Sequence, residues 1–479
     1  MTPPDGVTPS PAPPTGSSCH GGKETMLAAA RTAGKTEALA KLAADYPQGP
    51  HDQPQSMCPA FGALRVGLRM RRVATLLSGS ACCVYGLTFT SHFYGARRSV
   101  GYVPFDSETL VTGQLFEDIR KAVRETARPA DYDAVVVINL CVPTASGVPL
   151  DLLPREIDGV RIIGIDVPGF GVPTHAEAKD VLAGAMLRYA RLEAEAGAVA
   201  RPCGPRADGP KVTLLGELFP ADPPGVAALL APMGISVSPA IPAREWRDLY
   251  GALDCAIAAA VHPFYTASIR EFREAGRAIV GSAPVGEAAT ADWLEAIGRA
   301  VNIDTKTIDR AKARALAPIR AVMAANPVEA RMIVSGYEGS ELLIARLLIE
   351  AGATIPYVGT ALARTEWSDA DRAWLEAQGT HVQYRASLEQ DLAAMREVNP
   401  DLALGTTPLV QAAKELGIPA VYFTNIVSAR PVFGAAGAAA LAAIVNTQSR
   451  GRERFARMIS FFDPPAKNPA TVPSVVTAC

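Results

Sequence analysis

The chain lacks several features, and each absence excludes a class of protein. No apolar run reaches the roughly 18–20 residues that span a bilayer; the alanine-rich stretch 434–445 comes nearest and is too short. Basic residues show no excess, with 46 Lys and Arg against 48 Asp and Glu, so there is no general field for nucleic acid. No basic start followed by an apolar core opens the chain, which predicts a cytoplasmic protein. Cys-x-x-Cys, His-Glu-x-x-His and Gly-x-Ser-x-Gly are all missing, and six dispersed histidines argue against a His-rich zinc site. Three glycine-bearing turns, at 101–113, 164–171 and 336–340, fall short of a phosphate loop. The first lacks a lysine-serine pair, the second has Pro168 where a helix would open, and the third lacks a third spaced glycine. The chain is therefore expected to bind neither ATP nor NAD itself.

What remains is an enzyme-like composition, 49% hydrophobic and 20% charged over 479 residues, enough for two to four cores. Residues 1–23 are rich in Pro, Gly, Ser and Thr and read as a disordered tail carrying Cys19 and His20. A helix is expected over 24–46. Strands at 73–77, 134–140 and 160–165 alternate with helices at 110–125 and His175–Glu195, the pattern of a parallel sheet covered on both faces. A polar linker at 200–209 precedes strands at 211–215, 235–237 and 255–261 and a helical stretch over 292–325. A third unit follows, with strands at 331–335, 354–358, His381–Tyr384, 401–404 and 420–423. The fold predicted is α/β, three doubly wound, Rossmann-like parallel-sheet domains. The expected division is 24–205, 206–325 and 326–460, with 461–479 a C-terminal tail.

Eight cysteines in a reducing compartment favour metal ligation or inert thiols over disulfides. Cys203, Cys255 and Cys479 read as inert. Cys58, the adjacent Cys82 and Cys83, and Cys141 stand apart: each has Gly, Ser or Pro neighbours, and the latter two places follow β-branched runs. They are expected in loops at one sheet rim, where backbone amides can reach thiolates of an iron–sulfur cluster. If that segment is extended, neighbouring side chains point opposite ways, so one of Cys82 and Cys83 ligates.

The runs Ser56-Met-Cys58-Pro, Leu77-Ser-Gly-Ser-Ala-Cys-Cys83-Val-Tyr-Gly and Ile138-Asn-Leu-Cys141-Val-Pro, followed by Ile165-Asp-Val-Pro-Gly-Phe-Gly, resemble the nitrogenase component 1 superfamily. Within it the match is to the chlorophyllide a reductase branch of bacteriochlorophyll synthesis, on its Y-subunit side, over nearly the whole chain from about residue 25. The resemblance implies a 4Fe–4S cluster held by Cys58, Cys83 and Cys141, with the fourth ligand from a homologous subunit, Z. It implies a 2:2 heterotetramer and an ATP-hydrolysing X homodimer that docks and supplies electrons, ATP and Mg being bound there. It implies reduction of the C7–C8 double bond in ring B of chlorophyllide a, in the cytoplasm or peripheral to the photosynthetic membrane.

The segment matching a nitrogenase cofactor loop, Ala258-Ala-Ala-Val-His262-Pro-Phe-Tyr265, has no cysteine, and 424–437 has no histidine. The resemblance therefore implies a cavity free for a flat apolar macrocycle, with His262, Phe264 and Tyr265 at its wall and His262 a magnesium ligand or proton donor. Two other readings stand beside this one. The first is a related protochlorophyllide reductase or nitrogenase-like subunit. The second is a metal-free periplasmic-binding-like module whose cysteines are structural.

Overall fold

The computed structural model describes residues 56–88, 100–197, 209–219, 221–451, 453, 455 and 457. The expected tails, the helix over 24–46 and most of the linker at 200–209 lie outside them, as do Cys19, His20, Cys203 and Cys479.

Among the described residues fourteen strands form three sheets. The first holds β1 (Val73–Ser78), β2 (Val100–Val103), β3 (Ala134–Asn139), β4 (Glu156–Ile157) and β5 (Val160–Asp166), in the order β2-β1-β3-β5-β4. The second holds β6 (Lys211–Leu215), β7 (Ser236–Val237), β8 (Ile257–Ala260) and β9 (Ala278–Gly281), ordered β7-β6-β8-β9. The third holds β10 (Arg331–Gly336), β11 (Thr354–Thr360), β12 (His381–Tyr384), β13 (Leu402–Gly405) and β14 (Ala420–Tyr422), ordered β12-β11-β10-β13-β14. Pairing is parallel except at the short β4 edge.

Central strands are continuous apolar runs because both faces are covered: every residue of β1, β3, β8 and β13 is buried. Each sheet winds outward from its first strand in both directions. The crevices β1/β3, β6/β8 and β10/β13 are therefore switch points, where ligands collect at carboxyl ends.

Nine helices place the site: α1 (Pro59–Arg69), α2 (Ala81–Thr88), α3 (Cys141–Ala145), α4 (His175–Glu195), α5 (Trp246–Leu253), α6 (Thr266–Glu274), α7 (Thr305–Ala325), α8 (Glu341–Glu350) and α9 (Gly434–Arg450). Thr174 opens α4, its side chain accepting the Glu177 amide. α4 packs against α1, α5 and α6 and so ties the first sheet to the second. Two large cores cross the sheets. One joins sheet one, α1 and α4 to β8 and α6; the other joins sheets two and three through α7, α8 and α9. Each fully buried Leu, Ile or Val in them contributes about 1.5–3 kcal/mol relative to exposure.

Several local expectations change, and the helical stretch expected over 292–325 is two helices, Glu287–Ala300 and Thr305–Ala325. The helix expected over 110–125 is two helices, Ser107–Val111 and Gln114–Thr126, separated at Thr112 and Gly113, with Asp106 capping the first through the Thr109 amide. The short strands β2, β4 and β9 are additional to those expected. The cysteines are not in extended loops: they begin helices.

Candidate metal centre and adjoining cavity

Cys58 is the N-cap of α1, with Pro59 at the first helical position. Cys82 and Cys83 follow Ala81 in the first turn of α2, and Cys141 is the first residue of α3. The N-terminal placement corrects the extended geometry from which only one of Cys82 and Cys83 was expected to ligate; both are exposed in the first turn of a helix. Their arms meet because β1 and β3 are parallel neighbours in register from Val73↔Ala134 to Ser78↔Asn139. The Leu140 amide donates to the Ser78 carbonyl at 2.9 Å. Gly79 permits the approach: a Cβ there would lie 2.3 Å from Leu140 Cδ1.

Cys58, Cys83 and Cys141 lie within electrostatic reach of one another. Burial and then the Cys82 thiol, with smaller effects of Cys58 and Cys141, push Cys83 up to about 11. Burial raises Cys58 as well; the Ala60 amide opposes it and Cys141 adds to it. Thiols that resist joint ionisation need a cationic centre between them to become ligands.

The Gly169 amide donates to Cys141 Sγ at 3.2 Å, the kind of contact that tunes a bound cluster. Among the described residues no three His, Cys, Asp or Glu side chains gather closely enough for one metal ion. A cubane spreads its thiolates more widely than a single ion does, and with Cys83 exposed and Cys58 and Cys141 half-buried there is a place for a fourth ligand on the open side. Met57, Tyr85, Val142 and Phe170 surround them with apolar side chains 37–83% exposed.

A cavity of about 770 Å³ opens where the three sheets converge. Its walls include Phe61, Leu218, Phe264, Leu343, Val432 and Phe433. His262 and Phe264 are at the wall; Tyr265 is not, being fully buried behind it in the core shared with α4. Burial holds Tyr265 well above the usual phenol range, and its hydroxyl has no partner among the described residues. Burial, with Lys179 adding, pushes His262 down to about 4.

The sequence reading missed the charged floor. Lys179 of α4 places Nζ 2.6 Å from Glu217 Oε2 and 3.3 Å from Glu338 Oε2. Arg65 of α1 meets Glu217 Oε1 at 2.7 Å. Thr424 donates to Glu338 Oε1 at 3.0 Å, and His175 Nε2 lies 3.7 Å from the same oxygen. Burial, the largest single effect, would raise both carboxylates, but Lys179 and Arg65 together, joined by His175 at Glu338, overcome it and hold Glu338 at about 2 and Glu217 lower still. Burial pushes His175 to about 3 despite Glu338. Glu217 lies just beyond β6 and Glu338 just beyond β10, corresponding positions in two sheets. An acidic residue within two positions of a first strand's end was the available signal.

Residues 58–449 match the family Nitrogenase component 1 type Oxidoreductase. The chain is 64% identical to the Chlorophyllide reductase 52.5 kDa chain of Cereibacter sphaeroides over 95% of this chain and 91% of that one. It is 65% identical to the protein of the same name from Rhodobacter capsulatus, over 93% and 90%. Among solved structures it resembles "Nitrogenase Cp1 at pH 6.5" with a TM-score of 0.64 at 16% identity, covering 88% of this chain and 96% of that one, a likeness of fold. With its three parallel sheets around one cavity, the chain belongs to the nitrogenase component 1 type oxidoreductases.

Proposed function

We propose that the chain is the Y-type subunit of a chlorophyllide a reductase, reducing the C7–C8 double bond of ring B in bacteriochlorophyll synthesis. The observation that carries this reading is the pairing of an incomplete cysteine set with an apolar-walled cavity at the convergence of three sheets. The names of the two relatives above support the substrate.

Cys58, Cys83 and Cys141 would hold a 4Fe–4S cluster, with the fourth ligand from subunit Z. The exposed Met57, Tyr85, Val142 and Phe170 are the surface such a partner would cover. The cluster, when bound, supplies one-electron storage and transfer. Electrons would come from an X homodimer that hydrolyses ATP, two Y–Z pairs forming the heterotetramer. Phe264 and the aliphatic wall bind the macrocycle and exclude water, while Lys179, Glu217 and Glu338 fix the charged floor. Among the described residues no helix is long and apolar enough to cross a membrane; the location that goes with this function is cytoplasmic or peripheral to the photosynthetic membrane.

The test is anaerobic reconstitution with Z and X, ATP and either chlorophyllide a or protochlorophyllide. A red-shifted bacteriochlorin band from chlorophyllide a alone is the expected result. Turnover of protochlorophyllide alone would reassign the substrate.

A further inference from the structure

A double bond reduced in a closed cavity gains two electrons and two protons, and the protons need an acid at the wall. The floor groups differ in what they can give. Arg65 and Arg69 keep their protons at any accessible pH. Glu217 and Glu338 are held ionised, and burial keeps His175 and His262 neutral. The Tyr422 hydroxyl is engaged with that of Tyr337.

Lys179 is different. Its side chain is 3% exposed, it lines the cavity, and its ammonium has three N–H groups. Two face Glu217 and Glu338; the third has no partner among the described residues. A charge buried this deeply adds little net stability even when well paired, so its presence asks for another role.

We propose that Lys179 is the proton donor to the substrate reduced in this cavity. The inference rests on the function proposed above. Both electrons come from the iron–sulfur donor protein. One Lys179 N–H bond breaks and a C–H bond forms at one alkene carbon, the N–H electron pair remaining on Nζ as a neutral amine. The second proton comes from water. Nζ is reloaded from solvent on the side of Glu217, whose side chain is 23% exposed and 2.6 Å away. The charged and titratable groups around Nζ are Glu217, Glu338, Arg65, His175 and His262.

The experiment compares wild type, Lys179→Arg and Lys179→Ala in the full complex. Arginine keeps the charge but cannot give up a proton. Lys179→Arg is expected to retain iron and bound pigment while turnover falls on the order of a hundredfold or more. Lys179→Ala should regain turnover with added ethylammonium, saturably, and with a pH profile that follows the added amine. Should the arginine variant not fold, the alanine variant decides: restoration supports the donor role and its absence overturns it. Wild-type activity in Lys179→Arg overturns the inference alone. No pigment reduction by the wild-type complex overturns the function reading together with it.

Discussion

The Gly169 amide hydrogen-bonds to Cys141 Sγ at 3.2 Å, joining the loop before α4 to the first residue of α3. The contact distinguishes Cys141 from Cys82, for which the described residues show no such amide. Cys58→Ser, Cys83→Ser and Cys141→Ser are each expected to lose cluster iron in anaerobically purified Y–Z complex, and Cys82→Ser to keep it. Iron analysis with the visible absorbance of the protein checks this. Full iron in Cys83→Ser with loss in Cys82→Ser would exchange the two roles.

Gly216 and His262 occupy one another's space. A Cβ on Gly216 would lie 2.1 Å from His262 Nδ1, and φ there is 149°, which L side chains rarely adopt. Gly216→Ala is expected to cost about 1–3 kcal/mol from backbone strain alone and to displace the imidazole. Chemical denaturation and pigment titration should both shift. An unchanged midpoint would show that the loop relaxes freely.

Tyr265 and Phe264 are adjacent in sequence but should behave in opposite ways. Tyr265→Phe removes a buried hydroxyl without a partner among the described residues, so stability should hold or rise by about 1 kcal/mol, with pigment affinity unchanged. Phe264→Ala strips the cavity wall and should weaken pigment binding. Loss of binding in Tyr265→Phe would put that ring back at the substrate.

Acid should destabilise the chain through its buried histidines. His175 titrates near 3 and His262 near 4 when folded, both below the ordinary 6.5. Between those values the unfolded chain binds more protons, so stability is complete above about pH 6.5 and falls as pH drops. Linkage gives each histidine up to about 2 kcal/mol between pH 6.5 and 5. Urea midpoints over that range should fall less steeply in His175→Gln than in wild type. Parallel slopes would refute the buried neutral imidazole.

How much of this was legible depended on range along the chain. Ala134–Asn139 is five apolar residues, three of them consecutive valines, followed by an asparagine, all buried, and a short β-branched run of that kind reads as a central strand. α4 was readable to its ends, and the Thr174 cap explains where it starts. Cys82 and Cys83 were misplaced in extended chain because α2 is short and weakly amphipathic, and its turns are set by the strand end it leaves. Tyr265 looked like a wall residue because a three-residue aromatic cluster carries no sign of which ring faces inward. Lys179 reads as part of a solvated helix face; its partners are 38 and 159 positions away, and only the convergence of the sheets brings them together.

The two carboxylates that meet Lys179 come from the second and third sheets, and the lysine from α4 on the first. Hinging any one of these units outward separates at least one ion pair inside a poorly solvated space. The cavity is thus latched shut against wide opening, and a flat ligand must slip in past side chains at its rim.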